Sequence, residues 1–305
     1  MKEIDRKTKN VILTGAGGFL GGYLLKELLK VSRCKVVAIT TKDLDAKIRG
    51  SLVTVSSHDW GTIEAVLSDA DVLINSAFPR HVEGKAVADG LSFIDRVFRL
   101  AGKNEGCSVV NISSQSVYSQ RDPKPATEDD ALCLESSYAV AKYATELLLD
   151  AHCHNNKHTN IRLASLIGPG FDQRVINKMI ARAMCGEALT VFENGSRFGY
   201  LDVRDAAEAI TALSTTVSDS DWDCSYNIGS TTAYSLTEIA KSVQEVCGRC
   251  YDDKVELSVE ITEHPAVYSL INSSRFAALT GWHARYDLEE TISAIEAELK
   301  SRNSC

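Results

Sequence analysis

Proline is scarce in this chain, five among 305 residues, and no apolar run approaches the roughly eighteen residues that a membrane-spanning helix needs. With a hydrophobic share of 44%, the low proline content excludes a disordered or fibrous chain. Positive charge is not in excess. Thirty-three Lys and Arg stand against 41 Asp and Glu, for a formal net charge of −8. Nucleic acid is held by clustered cations, so it is not expected as the main partner. The opening MKEIDRKTKN is charged and lacks the apolar centre of a signal peptide. Nine cysteines form no even framework, and only Cys247 and Cys250, in CGRC, lie close together. No second pair accompanies them at zinc spacing, so they read as the frayed end of a helix rather than half a metal site. Reduced thiols and a cytoplasmic location are the expectation.

What is present is enough chain for a full core. A folded protein of 33.2 kDa buries about three quarters of the surface its unfolded chain exposes. Short apolar runs flanked by turn residues predict strands at Val11–Thr14, Lys35–Thr40, Leu52–Val55, Val72–Asn75, Ser108–Ser113 and Asn160–Ala164. Stretches with helical period lie between most of them: Phe19–Lys30, Thr62–Leu67, Lys85–Gly102 and Ser137–His152. Alternating strands and helices predict right-handed βαβ units and a parallel sheet covered on both faces. The fold class is therefore α/β, a doubly wound parallel sheet of the Rossmann kind. After Gly168-Pro169-Gly170 the alternation loosens into helices at Arg174–Cys185, Asp205–Leu213, Leu236–Cys247 and Leu288–Ser301, with short strand-like pieces. This C-terminal third reads as a smaller lobe that returns to the core.

Chemistry enters at Asn10-Val-Ile-Leu-Thr-Gly-Ala-Gly-Gly-Phe-Leu-Gly21. A strand runs straight into glycines and a helix follows. Gly15 suits a tight turn, Gly18 a close approach of backbone to a pyrophosphate, and Gly21 close packing of helix on strand. The helix N-terminus then offers unpaired N–H groups and a positive dipole end. An ordinary glycine-rich loop shares the spacing, but the strand–turn–helix context favours a dinucleotide.

A second cluster is Tyr138-Ala-Val-Ala-Lys142. On a helix, this spacing places phenol and ammonium on one face, one turn apart. A nearby ammonium favours phenolate and brings the tyrosine towards proton transfer near neutral pH. Taken alone, such a pair also suits surface packing. Upstream, however, the run Asn111-Ile-Ser-Ser-Gln-Ser-Val-Tyr118 puts hydroxyls at a carboxyl strand end, where open α/β sheets place ligands.

Together these segments resemble the extended short-chain dehydrogenases/reductases, the NAD-dependent epimerase/dehydratase family. The residues that carry the resemblance are TGAGGFLG at 14–21, SSQSVY at 113–118, YAVAK at 138–142, IRLASLIGPG at 161–170, NGSRFGYLDVRDAA at 194–207 and YNIGS at 226–230. Gly281, Trp282 and Leu288 also fit. The resemblance implies a dinucleotide-binding domain over about 1–168, with a returning segment near 200–230, and a mainly substrate-binding lobe over 169–305. It implies that Tyr138 is the acid/base, that Lys142 lowers its pKa and holds the nicotinamide ribose, and that Ser114 hydrogen-bonds the same substrate oxygen. Gly15, Gly18, Phe19, Leu20 and Gly21 would border the dinucleotide, and Asn75 and Ala77 would lie beside it after the fourth strand. A homodimer, joined through the Tyr138 helix and its neighbour Lys85–Gly102, is usual in the family.

Three departures shape the functional expectation. Members that prefer NAD end the second strand on a carboxylate that binds ribose hydroxyls, whereas this chain has Thr40, Thr41 and Lys42. Hydroxyls and an ammonium can accept a 2′-phosphate that a carboxylate would repel, which tilts the expectation to NADP over NAD. A solvated Lys42 is the plainer alternative. Gln115 follows Ser114 where the family's dehydratases carry an acid pair, so elimination of water lacks its general acid. Ser165 stands where nucleotide-sugar members have an asparagine, while Arg197 matches an arginine that grips the diphosphate. A rim salt bridge explains Arg197 equally well.

The resulting expectation is an oxidoreductase acting on a nucleotide-activated sugar, foremost a 4-keto-sugar reductase. A 4-epimerase with tightly bound NAD, a reductase of a non-nucleotide carbonyl and a non-catalytic cofactor sensor follow in that order. His152, Cys153, His154 and His158 read as a solvated helix end rather than a metal site. Asp205 reads as the N-cap or first-turn acid of its helix, and Trp60, Trp222 and Trp282 are too scattered for a stacking platform.

Overall fold

A computed structural model describes residues 8–44, 53–79, 84–249 and 255–303. The chain divides into two compact units. The first comprises Met1–Val117, Leu134–Arg162 and Ala207–Tyr226; the second comprises Tyr118–Cys133, Leu163–Ala206 and Asn227–Cys305. Elements are numbered in chain order through both.

The first unit is built on a seven-stranded sheet. Its strands are β1 (Lys9–Thr14), β2 (Cys34–Thr40), β3 (Val53–Ser56), β4 (Val72–Asn75), β5 (Ser108–Ser114), β6 (His158–Leu163) and β10 (Ser225–Ile228), in the order β10-β6-β5-β4-β1-β2-β3. β1 pairs in parallel with β2 and β4, β2 with β3, and β4 with β5. The sheet reverses its winding between β1 and β4, the switch at which doubly wound sheets open a crevice beyond the carboxyl strand ends. A strand covered on both faces is buried throughout, and all seven residues of β5 are, its polar Ser108, Asn111, Ser113 and Ser114 included.

Helices α1 (Phe19–Leu28), α2 (Trp60–Ser68), α3 (Gly84–Ala101) and α4 (Ser137–Cys153) follow the strands, and most of α6 (Val203–Thr215) returns to this unit. Their starts are chemically specified. The Asp59 side chain accepts from Thr62 N–H at the head of α2, and the Ser136 hydroxyl accepts from Ala139 N–H at the head of α4. Ile12, Ile63, Leu67, Ile94, Phe98 and Leu149 lie at the centre of its core.

The second unit carries β7 (Ser165–Ile167), β8 (Leu189–Glu193), β9 (Arg197–Asp202), β11 (Ala233–Tyr234), β12 (Leu257–Ile261) and β13 (Tyr268–Ser269). Here β9 pairs with β7, β11 and β13, and β8 with β12. Helices α5 (Val175–Met184), α7 (Leu236–Gly248), α8 (Ser274–Thr280) and α9 (Leu288–Asn303) complete it. Ser235 and Glu238 form a reciprocal capping box at the start of α7. Ile176, Ile180, Leu189, Ile239, Val243 and Ile292 share a second core.

Two local expectations change. Cys247 is fully buried in the last turn of α7 and belongs to the second core, so that half of CGRC is packed rather than frayed; Cys250 lies outside the described residues. The strand expected from Leu52 begins at Val53 among the described residues, Leu52 lying outside them. No helix among the described residues is long and apolar enough to cross a membrane.

Phe98 is fully buried on α3 within the first core. Phe98→Ala is expected to destabilise the protein by about 3–5 kcal/mol, read from the urea midpoint at constant m-value.

Candidate active site

The glycine loop is held by close backbone approaches. Gly15 has φ +70°, and a Cβ there would fall 2.7 Å from Ala77 N and from the Ser76 carbonyl. A Cβ on Gly21 would fall 2.1 Å from Gly15 O, which is why helix and strand can meet only through glycine. Gly18 is the N-cap of α1, with no side-chain cap bond and no acidic residue in the first turn. A helix start with no side-chain cap and no acidic first turn is one that a phosphate would suit. Leu20 is buried, and half-buried Phe19 meets Tyr23 at 5.8 Å between ring centroids. Against Gly17 lie the end of β2 and the turn after it: a Cβ at this glycine would come 2.8 Å from Thr40 Oγ1 and 2.9 Å from Lys42 Cβ. Lys42 is exposed, and its N–H donates to Thr40 Oγ1 at 3.0 Å.

A ladder of buried side-chain hydrogen bonds runs from the carboxyl ends of β1 and β4 to the middle of β5 and β6. Thr14 Oγ1 donates to Asn75 Oδ1 (2.7 Å), and Asn75 Nδ2 donates to Asn111 Oδ1 (3.0 Å). Asn111 Nδ2 then donates to Thr145 Oγ1 (3.0 Å) and Asn160 Oδ1 (2.8 Å). Ala77 N–H donates to Thr14 Oγ1 (3.3 Å), and Thr145 Oγ1 to the Lys142 carbonyl (2.7 Å). One polar chain thus ties β1, β4, β5 and β6 to the helix carrying Tyr138 and Lys142. The expected backbone position after β4 is there, but the Asn75 side chain itself belongs to this ladder.

Tyr138 lies half-buried in the first turn of α4 and Lys142 one turn later. Lys142 is 6% exposed. Its Nζ donates to the Ile112 carbonyl at 2.9 Å and stands 4.0 Å from the centroid of Phe78. The Phe78 ring meets Tyr138 edge to face, with centroids 5.6 Å apart and planes at 82°. Burial drives the Lys142 pKa down to about 7, opposed by the charge of Glu146. Glu146 accepts from Ser113 Oγ (2.5 Å), Arg162 Nε (3.1 Å) and Arg162 Nη2 (2.8 Å), and both members of this ion pair are buried. Ser114 closes β5; its Oγ accepts from Ser116 N–H (3.2 Å) and Ser116 Oγ (3.0 Å). Gln115 follows, buried at the head of a 3-10 turn.

Tyr138 and Lys142 lie one turn apart on α4, as their spacing predicts, and Ser114 ends β5; the contacts that Phe78, Glu146 and Arg162 make around them were not foreseen. The i, i+4 spacing of Lys142 and Glu146 was a readable signal; Phe78 had none beyond its position after β4.

The other candidates lie in the second unit. Ser165, half-buried on β7, is opposite Tyr200 of β9. Arg197 begins β9 and pairs with Glu238 at 2.5 Å, both side chains about half exposed. That is the rim ion pair, worth about 0–1 kcal/mol. Asp205 is the first-turn acid of α6, but it is also fully buried and accepts from the N–H groups of Arg285 and Tyr286, each at 3.0 Å. Burial pushes its carboxyl pKa up.

The histidine run departs from a solvated helix end. His152 Nε2 lies 2.7 Å from Asp95 of α3, His158 Nε2 lies 3.1 Å from Asp150, and Cys153 is buried in the first core. The packing of α3 on α4 supplied a carboxylate that local sequence did not show. Among the described residues no group of three or more His, Cys, Asp or Glu is placed to hold a metal.

Comparison with known proteins gives a consistent outcome. Residues 11–229 match the family described as the NAD dependent epimerase/dehydratase family. The low-salt glycan biosynthesis protein Agl12 of Haloferax volcanii is 27% identical, with 93% of this chain and 96% of that protein covered. The fold is shared with UDP-N-acetylglucosamine 4-epimerase from Bacillus cereus (TM-score 0.80, 22% identity, 96% of each chain covered). It is shared too with UDP-glucuronic acid 4-epimerase from Bacillus cereus in complex with NAD (TM-score 0.81, 19% identity, 97% of this chain and 98% of that one).

The buried amine has a thermodynamic consequence. An unfolded chain holds this proton up to about 10.5 and the folded chain releases it near 7, so stability rises with pH across that interval. Lys142→Met should melt above the wild type below pH 7, with the gain gone by pH 10.5. Calorimetry across this range checks it, and a variant that melts lower at acidic pH contradicts it.

Proposed function

We propose a reaction for this chain, which belongs to the NAD-dependent epimerase/dehydratase family: reduction at C4 of a nucleotide-activated 4-keto sugar, with NADP(H) as the cofactor. The observation that carries the reading is the placement of Thr40 and Lys42 against Gly17 of the phosphate loop. A hydroxyl and an ammonium there suit a 2′-phosphate, and an exchangeable reductant suits net reduction.

The residues fit a dinucleotide. Gly15 and Gly21 leave room that a Cβ would fill, and the start of α1 carries no side-chain cap. Gly15, Gly18, Phe19, Leu20 and Gly21 would hold the pyrophosphate side, Thr40 and Lys42 the adenosine ribose, and Asn75, Ala77 and Lys142 the nicotinamide side. When bound, the cofactor supplies two-electron chemistry at the substrate carbon. Tyr138 gives its phenol proton to the substrate oxygen, and the carbonyl becomes an alcohol. Ser114 donates a hydrogen bond to that oxygen and stabilises the charge developing on it. Lys142, one turn along α4, favours the phenolate that Tyr138 becomes. Gln115 carries no ionisable carboxyl, so elimination of water has no general acid at that position. Ser165 and Arg197 are the residues assigned to the nucleotide-sugar side, Arg197 after releasing Glu238.

A second reading is 4-epimerisation with retained NAD. It is favoured by the solved neighbours, among them a 4-epimerase whose structure contains NAD. The same Tyr138 would then take and return the proton of the C4 hydroxyl.

Tyr138→Phe should lower turnover by about two or more orders of magnitude; unchanged turnover would remove Tyr138 from the chemistry. Mass spectrometry of the purified protein separates the two readings. Weakly held NADP supports reduction, whereas NAD retained through gel filtration supports epimerisation. Lys42→Glu should raise the KM for NADPH about tenfold or more while leaving NADH little changed, consistent with losing one charge-assisted contact.

A further inference from the structure

Phe78 touches both members of the Tyr138–Lys142 pair. Its ring lies 4.0 Å from Lys142 Nζ, within the range of a cation–π contact, and packs edge to face on Tyr138. The segment is seated by its neighbour: a Cβ on Gly90 of α3 would fall 2.7 Å from Pro79 Cδ, so α3 approaches the Phe78-Pro79 step only because position 90 is glycine. Phe78 itself packs against the first core. It is held on both sides and cannot swing away from the amine without repacking.

We propose that Phe78 is a positioning residue whose aromatic face holds the Lys142 ammonium, and whose ring fixes the orientation of Tyr138. The proposal rests on the reading of Tyr138 and Lys142 as the reacting pair, but its physical core is the Phe78–Lys142 contact.

The surroundings of Lys142 show why a ring face matters. The amine is buried, and it donates a hydrogen bond to the Ile112 carbonyl. On its own helix the titratable groups within one turn are Tyr138, Tyr143 and Glu146, and Glu146 is engaged by Arg162 of β6 and Ser113 of β5. On α3, Asp95 is turned to His152 and Arg99. β5 and the 3-10 turn after it contribute only neutral side chains. With the neighbouring carboxylate shared, the negative face of Phe78 adds to the support that the Ile112 carbonyl and Glu146 give the charged amine. An aliphatic side chain of similar size would fill the space without giving that support.

The test titrates Lys142 directly, by NMR of protein labelled with carbon-13 at lysine Cε, the signal being assigned by its loss in Lys142→Met. Phe78→Leu and Phe78→Met should move the midpoint down by about half to one and a half pH units, the size of a desolvated cation–π contact. Phe78→Tyr keeps the ring and should stay within a few tenths of wild type. Replacing Phe78 by a ring-trifluorinated phenylalanine preserves shape but withdraws the negative face; it should move the midpoint down, with the melting temperature kept at pH well above that midpoint and lowered only at acidic pH, where the folded amine is charged.

An unmoved midpoint in the Leu, Met and fluorinated proteins overturns the proposal. So does an upward shift, which is what water entering a loosened pocket would produce. Neither substrate nor turnover is needed. A failure of the proposed reduction would appear as unchanged turnover in Tyr138→Phe, a separate result.

Discussion

An amine with its charge buried is the constraint around which the first unit is arranged. Lys142 sits on α4 with its ammonium inside the protein, and desolvation alone drives its pKa towards neutrality. A buried cation persists only where the surroundings substitute for water. Here those substitutes come from three separate elements: the Ile112 carbonyl of β5, the ring of Phe78 after β4, and the Glu146 carboxylate one turn further along α4. Each must be in place for the others to matter. A strand slipped by one residue would turn its side chains to the opposite face. The charge of one side chain therefore depends on the register of two strands and a helix.

The polar ladder explains how that register is held. Asn75 and Asn111 are buried, and an unsatisfied buried amide costs about 1–3 kcal/mol. The hydrogen bonds from Thr14 to Asn75, Asn111, Asn160 and Thr145 satisfy them in a register that sets the last residues of β1 and β4 level with Asn111 in the middle of β5. Apolar packing would tolerate small slides along the strands, whereas this chain of directional bonds does not. The ladder begins at the residue before Gly15 and ends at the carbonyl of Lys142. The glycine loop and the Tyr138–Lys142 pair are fixed to a common frame.

Much of this was legible, and the boundary has a physical origin. The glycine spacing at 15, 18 and 21 was readable because each glycine answers a local demand of a strand–turn–helix unit. The Tyr138–Lys142 spacing was readable because a helix converts four residues into one turn. The alternation of apolar runs gave the sheet and its parallel character. What escaped depends on residues brought together from distant parts of the chain. Phe78 meets Lys142 because β4 and α4 converge, and Asp95 reaches His152 because α3 lies on α4. Arg162 gives no local sign that it will grip Glu146. Asp205 was placed correctly in the first turn of its helix, yet its bonds to the backbone at 285 and 286 are set by tertiary structure. Local chemistry could be read from the sequence; the identity of the tertiary neighbour could not.

The same distinction bears on how an acidic chain would hold polyanions. At a net charge of −8 the overall field repels a dinucleotide and a nucleotide sugar alike. Attraction must come from groups within a Debye length, about 8–10 Å at physiological salt. At the glycine loop the groups proposed for this are the start of α1, which has no side-chain cap and no acidic residue in its first turn, and the exposed side chain of Lys42. Arg197 differs, because Glu238 already occupies it and also accepts from Ser235 N–H in the capping box of α7. A phosphate approaching Arg197 competes with a carboxylate held in place by a helix start, not with water. Since that ion pair is half exposed, displacing it costs about 1 kcal/mol or less, well below the strength of a bidentate phosphate contact. The arginine is then an adjustable donor whose idle partner remains folded into the helix cap. Under the proposed reading, that arrangement would let Arg197 turn to a diphosphate without being an isolated positive charge when none is bound.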